Sequence, residues 1–151
     1  MATATIGGGQ IGRSVPRLEA REKVTGRAEY THLMRLPGML HGKIFRSTVA
    51  HGRIKSIDTS AAKQIPGVFR VITADDVIKV IPNPYYGPAF HDQPILAIDK
   101  VRFVGEPVAM VVAETIAAAK DAAELLDVDW EPLPAVARAP DAVASDAPLL
   151  W

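Results

Sequence analysis

Cysteine is missing from all 151 residues, so the chain can form no disulfide, no thiolate metal site and no iron–sulfur cluster of its own. Any redox centre has to lie elsewhere, and the composition fits a reducing, cytoplasmic setting. Aromatics are scarce, at two Trp, three Tyr and four Phe, which leaves Val, Ile, Leu and Ala to fill a core. Charge of one sign is lacking too. Seventeen basic and seventeen acidic residues cancel, so no net field draws the chain to nucleic acid, which is not expected as a partner. The longest apolar run, Val108 to Ala113, falls far short of the roughly 20 residues of a membrane span. Met1 to Ile6 shows no basic region followed by an apolar stretch, so no membrane span or export signal is expected.

Catalytic signatures are equally absent. There is no G-x-S-x-G elbow, no phosphate-binding G-x-x-x-x-G-K-[ST] loop and no cysteine nucleophile. His32, His41, His51 and His91 form no i, i+4 pair, so no metal site is expected. His51 stands in the turn Ala50, His51, Gly52, Arg53 and is read as making a local hydrogen bond or facing water. Gly7, Gly9 and Gly12 have the spacing of a dinucleotide fingerprint, but little room precedes them for a strand, and Pro16 opposes the helix that must follow. Asp75 with Asp76 is expected in the first turn of a helix, and Asp127 with Asp129 pointing outward from a strand. Glu106, between Gly105 and Pro107, is read as a solvated turn residue. The site assignment is therefore catalytic none, cofactor-binding none and metal none.

What is present is a succession of short elements. Residues 1–10 are expected to be a flexible tail, and Arg13 to Arg27 a charged leading segment that turns at Gly26. Strands are predicted at Leu40 to Ser47, Arg53 to Asp58 and Val68 to Ile72, with Thr59 or Asp58 capping a short helix through Gln64. Thr73 and Asp76 have capping-box spacing. From Ile81 to Pro94 four prolines disfavour any regular element, and Tyr85, Tyr86 and Phe90 make this loop a candidate contact with a neighbour. Val101 to Val104 and Val108 to Ala113 read as strands around a turn at Gly105. A helix capped by Thr115 should bury Ile116, Ala119, Ala123 and Leu126, and Val128 to Trp130 reads as a closing strand. Strands interleaved with short helices predict an α/β or α+β domain.

Several stretches carry a family likeness. The segment from Ile11 to Arg17, continuing through Glu19, Lys23 to Gly26, Ala28 and Tyr30, resembles the opening of molybdenum hydroxylase large subunits, the xanthine dehydrogenase and aldehyde oxidase family. Ala50 to Ile54 with Ile57 and Asp58, Pro66 to Val68 with Thr73, Ala74 and Asp76, and Val101 to Ala109 through Val112 to Thr115 agree in order. Val128 to Val136 also looks like that family. The resemblance implies an α+β fold, the α/β hammerhead, with a mixed sheet and short helices packed on it over residues 11–151. It implies that the catalytic molybdopterin domain lies outside this chain, which would then be a fragment or truncated product ending near Pro148 to Trp151. It further implies a parent enzyme using molybdenum-molybdopterin, with 2Fe-2S clusters and FAD on partner subunits or domains, and the C-terminal molybdopterin domain as a partner within the same subunit. The alternative is a stand-alone small-molecule binding or carrier module on the same fold.

Overall fold

The computed structural model describes residues 12–150. The expected tail at residues 1–10, and with it Gly7 and Gly9, lies outside the described residues. The chain divides at Pro37 and Gly38 into two units. In the first, α1 (Ala20–Val24) buries none of its residues, and its Lys23 pairs with Glu19 at 3.3 Å. This helix was not foreseen in the charged leading segment. The turn expected at Gly26 is there, with φ +69°, a conformation open to glycine at little cost. A 3-10 turn at Thr31–Leu33 follows.

The second unit carries eight strands and four helices among its described residues: β1 (His41–Arg46), β2 (Gly52–Asp58), α2 (Ser60–Lys63), β3 (Val68–Ile72), α3 (Ala74–Val80), β4 (Tyr85–Tyr86), β5 (Gln93–Pro94), β6 (Lys100–Val101), β7 (Pro107–Ala113), α4 (Ile116–Glu124), β8 (Asp127–Pro132) and α5 (Ala139–Ala142). One sheet runs β1-β7-β3, a second β6-β2-β8, and β4 pairs with β5. Every ladder among the described residues is antiparallel. The domain is thus α+β, with its strands divided between two three-stranded sheets and the two-stranded β4–β5 ladder, all antiparallel, where one mixed sheet was expected.

β7 is the centre. Ala109 and Val111 point to one cluster with Val71, Ala122, Ala123 and Leu126, while Val108 joins a second cluster with Ala97 and Val101. Successive residues on a strand face opposite ways, so one strand feeds both clusters. Around the second cluster pack Phe45, Val49, Ile54, Ile57 and Trp130. Burying a valine contributes about 1.5–3 kcal/mol, and Val101, Val108 and Val111 are the largest fully buried side chains.

α4 lies on β1 and β7. Its Thr115 hydroxyl accepts from the Ala118 N–H at 3.1 Å, as the cap expected there should. The buried stripe is Ala119, Ala122, Ala123 and Leu126, at i, i+3, i+4, i+7 spacing. Ile116, expected in that stripe, sits in the first turn and is 51% exposed. Alanine carries too little hydrophobic signal to mark its own face, so Ala122 was passed over. Asp58, and not Thr59, caps the start of α2, its Oδ1 accepting from the Ser60 N–H at 2.8 Å and from the Ser60 hydroxyl. Both bonds hold the Asp58 carboxyl below its ordinary pKa.

Two expectations fail locally. The stretch from Ile81 to Pro94 contains the two-residue ladder β4–β5, with Tyr85 opposite Pro94 and Tyr86 opposite Gln93. Proline is tolerated there because the edge of a short ladder asks for few N–H donors. Conversely, the strand expected from Val101 to Val104 ends at Val101. Glu106 takes the Arg102 N–H with its side chain, so that donor is lost to the ladder.

The capping box of α3 is formed: Asp76 Oδ2 accepts from the Thr73 N–H at 3.1 Å, and Asp76 also pairs with Arg70 at 3.5 Å. That backbone bond chiefly holds the Asp76 carboxyl below its ordinary pKa; burial opposes it, and Arg70 and Lys79 add smaller lowering effects. A lowered folded-state pKa contributes stability above the unfolded-state value that is lost as pH falls through the folded one. Asp76→Ala should therefore cost about 1 kcal/mol at neutral pH. Urea titrations of both proteins should converge as the pH is taken below the Asp76 pKa, and a difference that persists there would dissociate the effect from the carboxylate.

Candidate functional site

Between β6 and β7 the chain makes a tight loop, Arg102 to Glu106, with Gly105 at φ +93°. Its charged ends are buried: the side chains of Arg102 and Glu106 are 10% and 4% exposed. Glu106 Oε2 accepts from the Arg102 backbone N–H, and Oε1 lies 3.6 Å from the Arg102 guanidinium. Arg102 also donates to the Lys100 carbonyl at 3.3 Å and approaches Asp99 at 4.0 Å. The solvated Glu106 expected from the sequence is thus corrected. Removing a carboxylate and a guanidinium from water together is tolerable because each neutralises the other. The cue available in the sequence was opposite charge four residues apart across a glycine turn between apolar runs.

His51 is corrected in the same way. It is 6% exposed, so it does not face water, and its bond is not local. Nδ1 lies 2.7 Å from the Pro134 carbonyl oxygen, 83 residues away. A carbonyl only accepts, so Nδ1 carries the proton. The Leu133 N–H donates to the His51 carbonyl at 3.0 Å. Ring and backbone together fix the chain as it leaves β8.

Two clefts open beside the loop. The first, of about 280 Å³, is lined by Ala50, His51, Arg102, Phe103, Val136 and Leu150, among others. The second, of about 410 Å³, is lined by Tyr86, Asp92, Gln93 and Glu106 together with the same Arg102, Phe103 and Leu150. Phe103 and Val104 are 56% and 64% exposed. The surroundings are apolar around one satisfied charge pair. Glu106 has both oxygens committed to Arg102, which suits it to holding backbone and not to moving protons. The arrangement is one that can bind an apolar group.

The other residues singled out in the sequence are not drawn to this place. Asp75 and Asp76 open α3, and Asp127 and Asp129 stand exposed on β8. Gly12 has φ +80°. Among the described residues no group of three or more His, Asp or Glu is gathered where a metal could be held, and no helix is long and apolar enough to cross a membrane. In the hairpin, Tyr85 is half-buried, while Tyr86 and Phe90 are exposed.

Residues 25–134 match the family model described as aldehyde oxidase and xanthine dehydrogenase, a/b hammerhead domain. The carbon monoxide dehydrogenase large chain of Afipia carboxidovorans is 46% identical over 136 residues, which cover 89% of this chain and 17% of that one. The nicotine 6-hydroxylase large subunit of Paenarthrobacter nicotinovorans is 44% identical over 131 residues, covering 83% of this chain and 16% of that protein. The crystal structure of a Cu,Mo-CO dehydrogenase in its carbon monoxide reduced state superposes with a TM-score of 0.83 at 46% identity, over 92% of this chain and 18% of that one. The chain therefore spans about a sixth of the length of these relatives.

Removing one partner of a buried pair leaves the other uncompensated, at a cost of about 3–5 kcal/mol. Glu106→Ala should accordingly destabilise the chain severely. Arg102→Met combined with Glu106→Ala should recover the part of the loss that is uncompensated charge, as read with both single variants in a urea double-mutant cycle, while the Arg102 N–H stays without its acceptor. Simple additivity of the two substitutions would mean the pair is not coupled.

Proposed function

The chain belongs to the aldehyde oxidase and xanthine dehydrogenase family as its a/b hammerhead domain, and from that membership we propose that it is the N-terminal structural domain of the molybdopterin-binding subunit of a hydroxylase, with no catalytic centre of its own. The observation that carries this reading is proportion. Identity of 46% extends over nearly the whole chain yet over only 17% of a carbon monoxide dehydrogenase large chain. The likeness is to one part of a larger machine.

In this proposal the parent is a molybdenum-dependent oxidoreductase that hydroxylates a carbon of an aldehyde or N-heterocycle, or acts on carbon monoxide. Its electrons would leave through 2Fe-2S clusters to FAD on partner subunits or domains, in the cytoplasm. The molybdenum group then belongs to a part of the subunit outside this chain; Glu106, the buried acid of this chain's loop, is held by Arg102. The role assigned here is packing against the cofactor domain and shaping the approach to it. The exposed Tyr86 and Phe90 of the β4–β5 hairpin belong to that role, since aromatics in loops favour contacts.

The clefts beside Phe103 favour a second reading, a small-molecule binding or carrier module. The coding sequence beyond Trp151 separates the two: glycine-rich cofactor segments in frame support the structural domain, and a stop codon supports the module. The 151-residue chain alone should purify without stoichiometric molybdenum by elemental analysis and should turn over neither xanthine nor an aldehyde. Turnover by the pure chain would overturn the reading.

A further inference from the structure

We infer that the Phe103–Val104 tip of the loop between β6 and β7 is a preformed docking knob, and that its occupant is the polypeptide following this domain in the longer subunit. The inference rests on the chain being one domain of that subunit. Its own support is the way the loop is built. Phe103 and Val104 are 56% and 64% exposed, an unfavourable place for two adjacent apolar side chains unless something covers them. Yet the backbone beneath them is tightly held. Besides the Arg102 N–H to Glu106 bond, the Gly105 N–H donates to the Ser47 carbonyl at 2.8 Å and the Ser47 N–H to the Glu106 carbonyl at 2.9 Å. The Arg46 guanidinium donates to the Gly105 carbonyl at 2.8 Å, and the Glu106 N–H to the Phe103 carbonyl at 3.3 Å.

A loop that only connected two strands would not require a buried ion pair, whose desolvation is costly. A loop that presents an apolar anchor gains from it, because a surface fixed in its bound form loses little entropy on docking. Clefts of about 280 and 410 Å³ flank the tip, with Phe103 lining both. Rigid aromatic anchors beside pockets are where binding energy concentrates.

The occupant follows from where the chain passes. Leu150 lines both clefts together with Phe103. A polypeptide continuing from there sets out beside the knob, and in the carbon monoxide dehydrogenase large chain the matched part is only 17% of the whole. Near neighbours along a chain meet at high effective concentration, so the next domain has first access to this surface.

The lack of cysteine makes the test clean. Val104→Cys is made in the 151-residue chain and in the polypeptide extended through the downstream coding region. Its alkylation rate is followed by mass spectrometry on the tryptic peptide of residues 103–120, after circular dichroism has shown both variants folded. The thiol should react freely in the short chain at every concentration and at least about tenfold more slowly in the long one. Equal rates would overturn the knob while leaving the structural-domain reading intact. Protection that grows with concentration of the short chain would give the surface to a second copy and overturn the occupant. A stop codon after Trp151 would remove the longer subunit, and the inference with it.

Discussion

Everything in the larger unit hangs on a strand that is covered on both faces. β7 has β1 and β3 as ladder partners, α4 above and the second cluster below. Most antiparallel strands alternate buried with wet positions; this one cannot, and Val108, Ala109, Val111 and Ala113 are all buried. Ala109 and Val111 meet Ala122 and Ala123 of α4, while Val108 turns to Val101 on the other side. Enlarging Ala109 would be felt on the helix, since cores filled to crystal-like density yield little.

The buried charge pair sits where β7 begins. Glu106 immediately precedes Pro107, the first residue of the strand, and its bonds to Arg102 and Ser47 tie the start of β7 to the ends of β6 and β1. The irregular register between Phe45 and Arg46 opposite Pro107 marks the place where the ladder yields to this arrangement. Electrostatics and sheet geometry thus meet in one corner, and the same corner carries the exposed apolar tip. His51 performs a comparable service at the start of β2, where its ring holds Pro134.

How much of this could be read beforehand depended on distance along the chain. β3 ran from Val68 to Ile72 as expected, the capping box at Thr73 and Asp76 formed, and Thr115 capped α4, because each is decided by residues within a turn of one another. His51 and Glu106 were misjudged because their burial is conferred from far away. His51 meets Pro134 across 83 residues, and the carbonyl that Gly105 finds belongs to Ser47, just past the end of β1. For β6, a local β preference at Phe103 and Val104 lost to the side chain of Glu106. At the candidate site the sequence showed the aromatics Tyr85, Tyr86 and Phe90 but as a loop, and the cleft walls at Arg102, Val136 and Leu150 come together only in the folded chain.

The second sheet ends in two unlike margins. One, β6, is only two residues long; the other, β8, sets Asp127, Asp129 and Glu131 outward and closes on Pro132. Neither margin offers an inviting row of free backbone groups: the first is too brief, and the second surrounds its own with negative charge and interrupts them with an imino acid. Strand-on-strand growth into fibrils, the usual hazard of small open sheets, is therefore discouraged at the margins of this sheet. A newly made chain thus presents this sheet to its neighbours without offering them a strand to extend.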